Sequence, residues 1–284
     1  MRIVVTGSKG FIGSKLCETL RSLDHEVIEI DLSLGHNVED WNDFEKLPKF
    51  DYLVHLAAKI FVPESFDKPR SFYQTNIMGT LNAVEACRIN DAKLIFFSSY
   101  AYGAPDYLPI DEQHPVKSFN PYSRSKIMGE DICKSYFADF GVKSIVFRPF
   151  NIYGPNQDSK FLIPSIIEQA LQGSITLKDN RPKRDYIYID DIIDAVVKAL
   201  DYEPSGSDVF NLASGKSFSV EEVVNYTKAI IGKSISVNYL GEHRPNEVLD
   251  TIAEISKAKE LLNWEPKIKL ESGIVHCIEN KELK

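Results

Sequence analysis

The sequence predicts an α/β fold: a Rossmann-type doubly wound parallel sheet followed by a smaller C-terminal α/β lobe for substrate. Short apolar segments of strand length alternate with segments of helical periodicity through the first half of the chain. A glycine-rich turn joins the first of these strands to the first helix. After about Pro155 the alternation becomes irregular, which indicates that a second unit begins there.

The first half supplies the strands and helices of the predicted main sheet. Buried strands are predicted at residues 2–6, 26–31, 52–56, 93–98 and 144–147. Helices are predicted at residues 11–23, 75–88 and 122–140. The first helix has apolar residues at steps of three to four, namely Phe11, Ile12, Leu16, Leu20 and Leu23. Helical crossovers between strands require parallel pairing, so helices are expected on both faces of the sheet.

The second half is predicted to form the smaller lobe. Residues 1–155 are interpreted as the main domain, and residues 156–284 as the smaller lobe. Within that lobe, helices are predicted at 161–172, 190–200 and 219–231, and short strands at 175–177, 209–211 and 235–237. Ser219, with acidic residues two and three positions later, indicates a capped helix start. Some segments of this lobe are expected to return to the main domain.

The composition disfavours several classes of function. The 284 residues are 43% hydrophobic and 26% charged, and the net charge is −8. An acidic chain is a poor partner for the nucleic-acid backbone, and no apolar run reaches the ~20 residues that cross a bilayer. The predicted first strand begins at Arg2, so we expect no signal peptide. The four cysteines are scattered without metal-binding spacing, so we expect reduced thiols, no metal and a cytoplasmic protein.

The glycine-rich turn has the chemistry of a dinucleotide site. Gly7, Gly10 and Gly13 give the spacing GxxGxxG between a strand and a helix. Glycine lets the backbone approach a pyrophosphate, and the helix N-terminus offers free N–H groups and the positive end of its dipole. Asp31 ends the second strand, where a carboxylate can accept hydrogen bonds from the adenosine ribose. Because a carboxylate repels a 2′-phosphate and residues 32–36 contain no Arg or Lys, the sequence predicts NAD(H) rather than NADP(H).

The predicted helix at 122–140 has the residues for proton transfer. Tyr122 and Lys126 are four positions apart and therefore share one helix face. An ammonium near a phenol favours the phenolate, so we expect Lys126 to lower the pKa of Tyr122. Tyr122 would then serve as general acid and base for a substrate hydroxyl. Ser98 and Ser99 follow an apolar strand, and one of the two hydroxyls is expected to orient the substrate oxygen.

Together these motifs resemble the extended short-chain dehydrogenase/reductase family, in its nucleotide-sugar epimerase/dehydratase group. TGSKGFIG resembles the family's cofactor loop, and HLAA at 55–58 resembles the strand whose backbone lines the cofactor ribose. Asn37 and Val38 fall where the family has an Asp and an apolar residue against adenine, and Asn76 matches its helix asparagine. Beyond the glycines and Asp31, the cofactor-binding residues that the resemblance implies are Lys9, Phe11, Ile12, Asn37, Val38, Leu56, Ala57, Ala58, Asn76, Tyr122, Lys126 and Pro149.

The same resemblance assigns substrate contacts. RPFNIYGP at 148–155 resembles the segment that contacts nicotinamide and the substrate diphosphate, which includes Asn151. Arg184 begins RDY, which resembles the family's RDF element, and Arg244 begins RPNE, which resembles RPGD with two replacements. Both arginines are implied to approach the diphosphate, to which a planar bidentate donor is suited. The SSYAYG segment is one residue shorter than its counterpart, so alignment on YG selects Ser98 and alignment on the strand selects Ser99.

The resemblance implies NAD-dependent hydride transfer at C4 of a nucleotide-linked hexose. Tyr100 and Ala101 occupy the stretch where 4,6-dehydratases have an Asp-Glu pair, which disfavours dehydration. The first interpretation is 4-epimerisation of an NDP-sugar of the UDP-hexose type through a 4-keto intermediate. The alternative is an NDP-4-keto-6-deoxysugar reductase using NAD(P)H, which the short chain and the short 32–36 segment favour.

Two further expectations concern activity and assembly. A non-catalytic cofactor sensor or scaffold is disfavoured, because binding alone requires neither Tyr122 with Lys126 nor the serine pair. The resemblance also implies a homodimer formed through the helices that carry Asn76 and Tyr122.

Overall fold

The strands and helices follow from a computed structural model, which describes residues 1–243 and 247–282. Along the chain the strands are β1 Arg2–Thr6, β2 Glu26–Ile30, β3 Tyr52–His55, β4 Lys93–Phe97, β5 Ser144–Pro149, β6 Asn151–Tyr153, β7 Ser174–Leu177, β8 Lys183–Tyr188, β9 Ser207–Leu212, β10 Ser217–Ser219 and β11 Ser236–Tyr239. The helices are α1 Phe11–Ser22, α2 Asn42–Glu45, α3 Val62–Asp67, α4 Pro69–Tyr73, α5 Gly79–Asn90, α6 Pro121–Phe140, α7 Leu162–Leu171, α8 Ile189–Ala199, α9 Val220–Ile231, α10 Ser256–Leu262 and α11 Leu270–Glu282.

Six of the described strands form one parallel sheet in the order β2-β1-β3-β4-β5-β9. The central strands are almost wholly apolar and buried, as is typical when helices cover both faces of a parallel sheet. One face packs against α1 and α8, and the other packs against α5 and α6. The predicted doubly wound fold is therefore confirmed.

The second half contributes both to the main sheet and to smaller sheets. β9 pairs with β5 as the sixth strand, whereas β10, β8 and β6 form a three-stranded sheet and β11 pairs with β7. Two buried carboxylates connect separate segments of this half through hydrogen bonds to backbone N–H groups. Asp185 accepts hydrogen bonds from the backbone N–H groups of Ser214 (2.7 Å), Gly215 (3.0 Å) and Ala253 (3.2 Å). Asp191 accepts from the N–H groups of Lys267 and Ile268.

Each predicted strand and helix has an observed counterpart, with one change of helix type and several elements that were not predicted. The helix predicted at 75–88 is an α-helix only from Gly79, because a π-helical turn occupies Gln74–Met78. The start of α9 has the predicted Ser219 cap, which accepts from the Glu222 N–H while Glu222 accepts from the Ser219 N–H. The prediction missed β6, β8 and β10 and the helices α2, α3, α4, α10 and α11. No helix within the described ranges is long and apolar enough to cross a membrane.

α6 is the helix that places the predicted catalytic residues. Its N-terminus is fixed by Asn120, whose side chain accepts a 2.8 Å hydrogen bond from the Ser123 N–H, and by Pro121 at the first helical position. Its C-terminus is Gly141 in the left-handed conformation, with φ +73°. Tyr122 therefore lies in the first turn of a long helix with defined ends.

Candidate functional site

The glycine turn packs so closely against its own backbone and against the segment after β3 that side chains cannot fit there. Gly7 has φ +69°, and a Cβ on it would lie 2.8 Å from the Ala57 nitrogen. A Cβ on Gly13 would lie 2.0 Å from the Gly7 carbonyl oxygen. α1 begins after Gly10 without a side-chain cap and has no acidic residue in its first turn, so its N–H groups are suited to an anion. These residues therefore fit the pyrophosphate of the dinucleotide that the sequence predicts.

Asp31 lies beside this turn as predicted for a ribose contact. Its carboxylate accepts hydrogen bonds from the Lys9 N–H (3.0 Å), the Ser33 N–H (2.9 Å) and the Ser33 hydroxyl (2.8 Å). Burial raises the pKa of Asp31, but these hydrogen bonds outweigh it and hold the pKa below its usual range. The Lys9 ammonium is paired with Glu29 at 2.5 Å. The site therefore presents a carboxylate beside a cation that already has a partner.

The residues predicted around adenine and ribose lie at the same end of the sheet. Val38 is buried against Gly79 and its carbonyl accepts a 2.9 Å hydrogen bond from Asn82. Asn37 is half-buried, and its side-chain oxygen accepts from the Glu39 N–H at 3.0 Å. The 56–58 segment follows β3, and the Ala57 N–H donates to the Thr6 hydroxyl at 3.2 Å. Their contacts with a cofactor remain predictions.

Asn76 lies in the π-helical turn and is committed to protein contacts. Its side-chain nitrogen donates to the Lys59 carbonyl (3.1 Å) and to the Ser125 hydroxyl (2.8 Å). Its side-chain oxygen accepts from the Lys59 N–H at 2.8 Å. The residue is 2% exposed. Asn76 thus joins the loop after β3 to the first turns of α6, and the predicted direct cofactor contact stays a prediction.

Tyr122 and Lys126 share a helix face, but their electrostatics differ from the expectation. Burial raises the pKa of Tyr122 above the ordinary 10.0, although a hydrogen bond with Ser99 lowers it in part. The Lys126 ammonium donates to the Phe97 carbonyl at 2.7 Å and lies 5.0 Å from the centre of the Phe96 ring. Burial lowers the pKa of Lys126 to about 7. The expected lowering of the Tyr122 pKa by Lys126 is therefore corrected, because desolvation dominates and the ammonium is directed at a carbonyl.

The two serines after β4 have different partners. The Ser98 hydroxyl is 3% exposed and donates a 2.6 Å hydrogen bond to the Glu130 carboxylate. Ser99 is half-buried and forms the hydrogen bond with Tyr122. The structure thus directs Ser98 into the protein interior and Ser99 toward the tyrosine.

Three buried polar residues near the site were not among the predicted site residues. Glu130 accepts two hydrogen bonds from the Arg148 guanidinium, at 2.8 and 2.6 Å. The His55 ring lies 2.8 Å from the Thr6 hydroxyl, and burial together with the Lys126 charge lowers its pKa to about 3. Glu130 continues the spacing of Tyr122 and Lys126 by four more positions, which is a signal that the sequence offered.

The predicted substrate residues lie around β6 and β8. The Asn151 side chain donates to the Asp185 carbonyl at 3.0 Å. The Arg184 guanidinium donates to the Val248 carbonyl at 2.6 Å and forms an ion pair with Glu247. Arg184 is also close enough for its charge to lower the pKa of Tyr100 against the effect of burial. Arg244 lies outside the described residues, so its predicted contact stays a prediction.

The glycine turn, Asp31 and the tyrosine-bearing helix meet at one end of a parallel sheet, which defines the class of Rossmann-type dinucleotide-dependent proteins. Within this class the chain belongs to the NAD dependent epimerase/dehydratase family, whose profile matches residues 3–213.

The chain is similar over its whole length to known epimerases. It is 33% identical to a putative UDP-glucose 4-epimerase of Methanocaldococcus jannaschii, with 97% of each chain covered. Its fold matches the UDP-glucose 4-epimerase of Thermotoga maritima, solved with UDP-glucose, at a TM-score of 0.92 and 30% identity, with 100% of each chain covered. It also matches the Thermus thermophilus UDP-glucose 4-epimerase, solved with NAD, at a TM-score of 0.89 and 27% identity, with 99% of each chain covered.

Proposed function

We propose that this protein is an NAD-dependent 4-epimerase of a UDP-hexose. The observation that carries the proposal is the placement of Tyr122 in the first turn of α6, near Ser99, at the carboxyl end of the sheet that also bears the glycine turn. The chain matches UDP-glucose 4-epimerases over nearly their full length, and this similarity supports the same activity. It also removes the length argument for a reductase, because epimerases of this size exist.

Tyr122 is the acid and base of the proposed reaction. When bound, NAD supplies the chemistry of accepting hydride from C4 and returning it. The phenolate form of Tyr122 would take the proton from the C4 hydroxyl, and the resulting phenol would later return it to the C4 oxygen, while Ser99 orients the tyrosine oxygen. Ser99 rather than Ser98 is the hydroxyl proposed to contact the substrate, because the Ser98 hydroxyl is committed to Glu130.

The cofactor preference rests on charge at the end of β2. Asp31 is held ionised by three hydrogen bonds, and a carboxylate there repels a 2′-phosphate. The nearby Lys9 ammonium is paired with Glu29. We therefore propose NAD rather than NADP, held by the glycine turn and the residues predicted from the resemblance.

The substrate proposal rests on the positions of Arg184 and Asn151. We propose that Arg184 binds the nucleotide diphosphate, and that Asn151 and Arg244 also contact the substrate. Arg184 is paired with Glu247, and the two side chains are 22% and 16% exposed. A diphosphate must therefore replace the Glu247 carboxylate at the guanidinium, which is chemically reasonable because both are oxyanions that accept planar bidentate hydrogen bonds.

The first test is to denature the purified protein, identify any released nucleotide, and screen UDP-hexoses for interconversion at C4. We expect stoichiometric NAD and epimerase turnover. An empty site that binds reduced cofactor reversibly, with turnover of an NDP-4-keto-6-deoxysugar, would instead establish the reductase.

The role of Tyr122 is tested by Tyr122→Phe, with Tyr136→Phe on the same helix as the matched control. We expect Tyr122→Phe to bind NAD normally and to lose about 10²–10⁴-fold in kcat, the range for a general acid or base. Tyr136→Phe should retain its activity, since Tyr136 packs on Phe140 in the last turns of α6. Equal kcat values for Tyr122→Phe and the unmodified protein would remove Tyr122 from the mechanism.

We also propose a homodimer through the helices that carry Asn76 and Tyr122, namely the π-helical turn with α5 and α6. Met78 and Met128 are 39% and 45% exposed on these helices. A shallow groove of about 380 Å³ lies between the helices, and its lining includes Ile77, Leu81 and Ile132. Light scattering should give the mass of two chains, and the mass of one chain would contradict the proposal.

A further inference from the structure

A buried carboxylate lies behind the predicted catalytic residues. Phe96 on β4 and Val146 on β5 pack on the side of the sheet that faces α5 and α6. Ser98 and Arg148 are each two positions further along these strands, and both reach Glu130 on α6. The Glu130 carboxylate is 1% exposed. One carboxylate thus contacts the ends of two neighbouring strands and the helix that bears Tyr122.

Both oxygens of the Glu130 carboxylate accept hydrogen bonds from buried side chains. One oxygen accepts from the Ser98 hydroxyl at 2.6 Å and from the Arg148 Nε at 2.8 Å. The other oxygen accepts from an Arg148 terminal nitrogen at 2.6 Å. The second terminal nitrogen of Arg148 donates to the Tyr102 hydroxyl at 2.9 Å, and Tyr102 in turn donates to Asn211 at 2.6 Å. We define these five residues as the Glu130 cluster.

Each contact of Glu130 is adjacent in sequence to a residue of the proposed site. Ser98 precedes Ser99, which is hydrogen-bonded to Tyr122. Arg148 precedes Pro149 at the end of β5 and lies three positions before Asn151. Glu130 itself lies on the same helix as Tyr122, about two turns further on. The end of β4, the end of β5 and α6 therefore all contact the same buried carboxylate.

We propose that Glu130 is a positioning residue for the reaction, and that its bond to Ser98 determines where Ser99 meets Tyr122. This inference rests on the proposed function, because it concerns the same tyrosine. Glu130 touches neither substrate nor cofactor in this account. It acts through Ser98, whose hydroxyl fixes the end of β4 against α6 one residue before Ser99.

Helix packing alone does not account for the Ser98 contact. Arg148 alone would satisfy both oxygens of Glu130, since it donates to each of them. The additional 2.6 Å bond from Ser98 orders a hydroxyl that solvent cannot reach and connects the carboxylate to the chain next to Ser99. An error of about 1 Å in the placement of a reacting group can cost about 10²-fold in rate.

The test removes this bond and leaves the buried ion pair in place. Ser98→Ala deletes the hydroxyl, and Ser144→Ala is the matched control. Ser144 is also fully buried on the neighbouring strand, but its hydroxyl bonds to Ser207 at the far end of β5, at 2.9 Å. We expect Ser98→Ala to bind NAD normally and to lose roughly tenfold in kcat at unchanged KM. The pH at which kcat reaches half its maximum should rise, because a looser Ser99 no longer lowers the Tyr122 pKa. Ser144→Ala should change neither kcat nor the pH at which kcat reaches half its maximum.

A second measurement requires no substrate. Tyrosine ring-carbon labelling, with Tyr122→Phe to assign the signal, gives the Tyr122 titration directly by NMR. We expect the Tyr122 midpoint to rise in Ser98→Ala and in Glu130→Gln, provided that each variant is folded by its amide spectrum. A midpoint that is the same in Ser98→Ala and Ser144→Ala would overturn the positioning role.

The two measurements separate the failure of this inference from the failure of the proposed function. If no UDP-hexose is turned over but the Tyr122 midpoint still depends on Ser98, the proposed substrate is wrong and the positioning role holds. If UDP-hexose is epimerised and Ser98→Ala matches Ser144→Ala in kcat and midpoint, the function holds and the role of Glu130 is overturned.

Discussion

The glycine turn and the Glu130 cluster lie at the same end of the sheet but are built in opposite ways. The turn works through missing side chains: a Cβ on Gly13 would lie 2.0 Å from the Gly7 carbonyl oxygen. The cluster works through matched polar side chains that are nearly inaccessible to water, with Glu130 only 1% exposed. A turn formed by close backbone contacts tolerates no added atom, whereas a cluster formed by buried charge tolerates no missing partner.

The largest expected effect comes from breaking the cluster. Glu130→Gln leaves the Arg148 guanidinium buried without its anion, which typically costs about 3–5 kcal/mol of folding free energy. Urea unfolding measures this loss. Glu64→Gln is the control, because the Glu64–Lys68 pair is exposed and such pairs contribute about 0–1 kcal/mol.

A double variant sharpens the same prediction. Replacing both Glu130 and Arg148 by Met removes the unpaired charge, so the double variant should be more stable than Glu130→Gln. If the double variant and Glu130→Gln lose the same free energy of unfolding, the interior packing of these side chains, and not their charge, stabilises the region.

The next effect concerns the turn. Gly13→Ala forces the Gly7 carbonyl to move, and overpacking of this kind costs about 1–3 kcal/mol, which we expect to appear mainly as weaker NAD binding. Gly10→Ala is the matched control within the same turn, because its Cβ would lie 3.2 Å from the same carbonyl oxygen. Titration with NAD should show a larger loss of affinity for Gly13→Ala. The reverse order would refute the steric account of this turn.

The last effect is a gradual pH dependence that comes from Lys126. Its folded pKa of about 7 lies below the ordinary 10.5. Between these values the unfolded chain binds more protons, so Lys126 makes stability rise with pH by up to about 1.4 kcal/mol per pH unit. Below about pH 7 this contribution is at its least favourable. We therefore compare the free energies of unfolding of Lys126→Met and the unmodified protein, measured with urea and without nucleotide. The difference between the two values should narrow from pH 7 to pH 9. A constant difference would show that Lys126 keeps its ordinary pKa.

The serine pair illustrates how far sequence reasoning reached at the site. The sequence placed Ser98 and Ser99 at a strand end but left open which hydroxyl is catalytic, because alignment on either side of a one-residue gap gives different answers. The structure separates them by partner, Glu130 for one and Tyr122 for the other. Glu130 lies 32 positions from Ser98, so a short local motif does not contain the pair.

The Lys126 expectation was wrong for a related reason. Spacing places Lys126 on the face of Tyr122, but it says nothing about how much water either group loses. Burial raises the Tyr122 pKa and lowers that of Lys126, and the ammonium donates to the Phe97 carbonyl. Desolvation depends on every neighbouring segment and is therefore a property of the assembled fold.

By itself, the sequence determined the doubly wound sheet, the glycine turn and the helix with Tyr122, because these depend on local periodicity and on residues close together in the chain. Tertiary structure alone decided the partners of Ser98 and Ser99, which segment of the second half returns to the main sheet, and the Glu130–Arg148 pair. Those features join residues that are distant in sequence, and their energies come from burial, which appears only when the segments pack together.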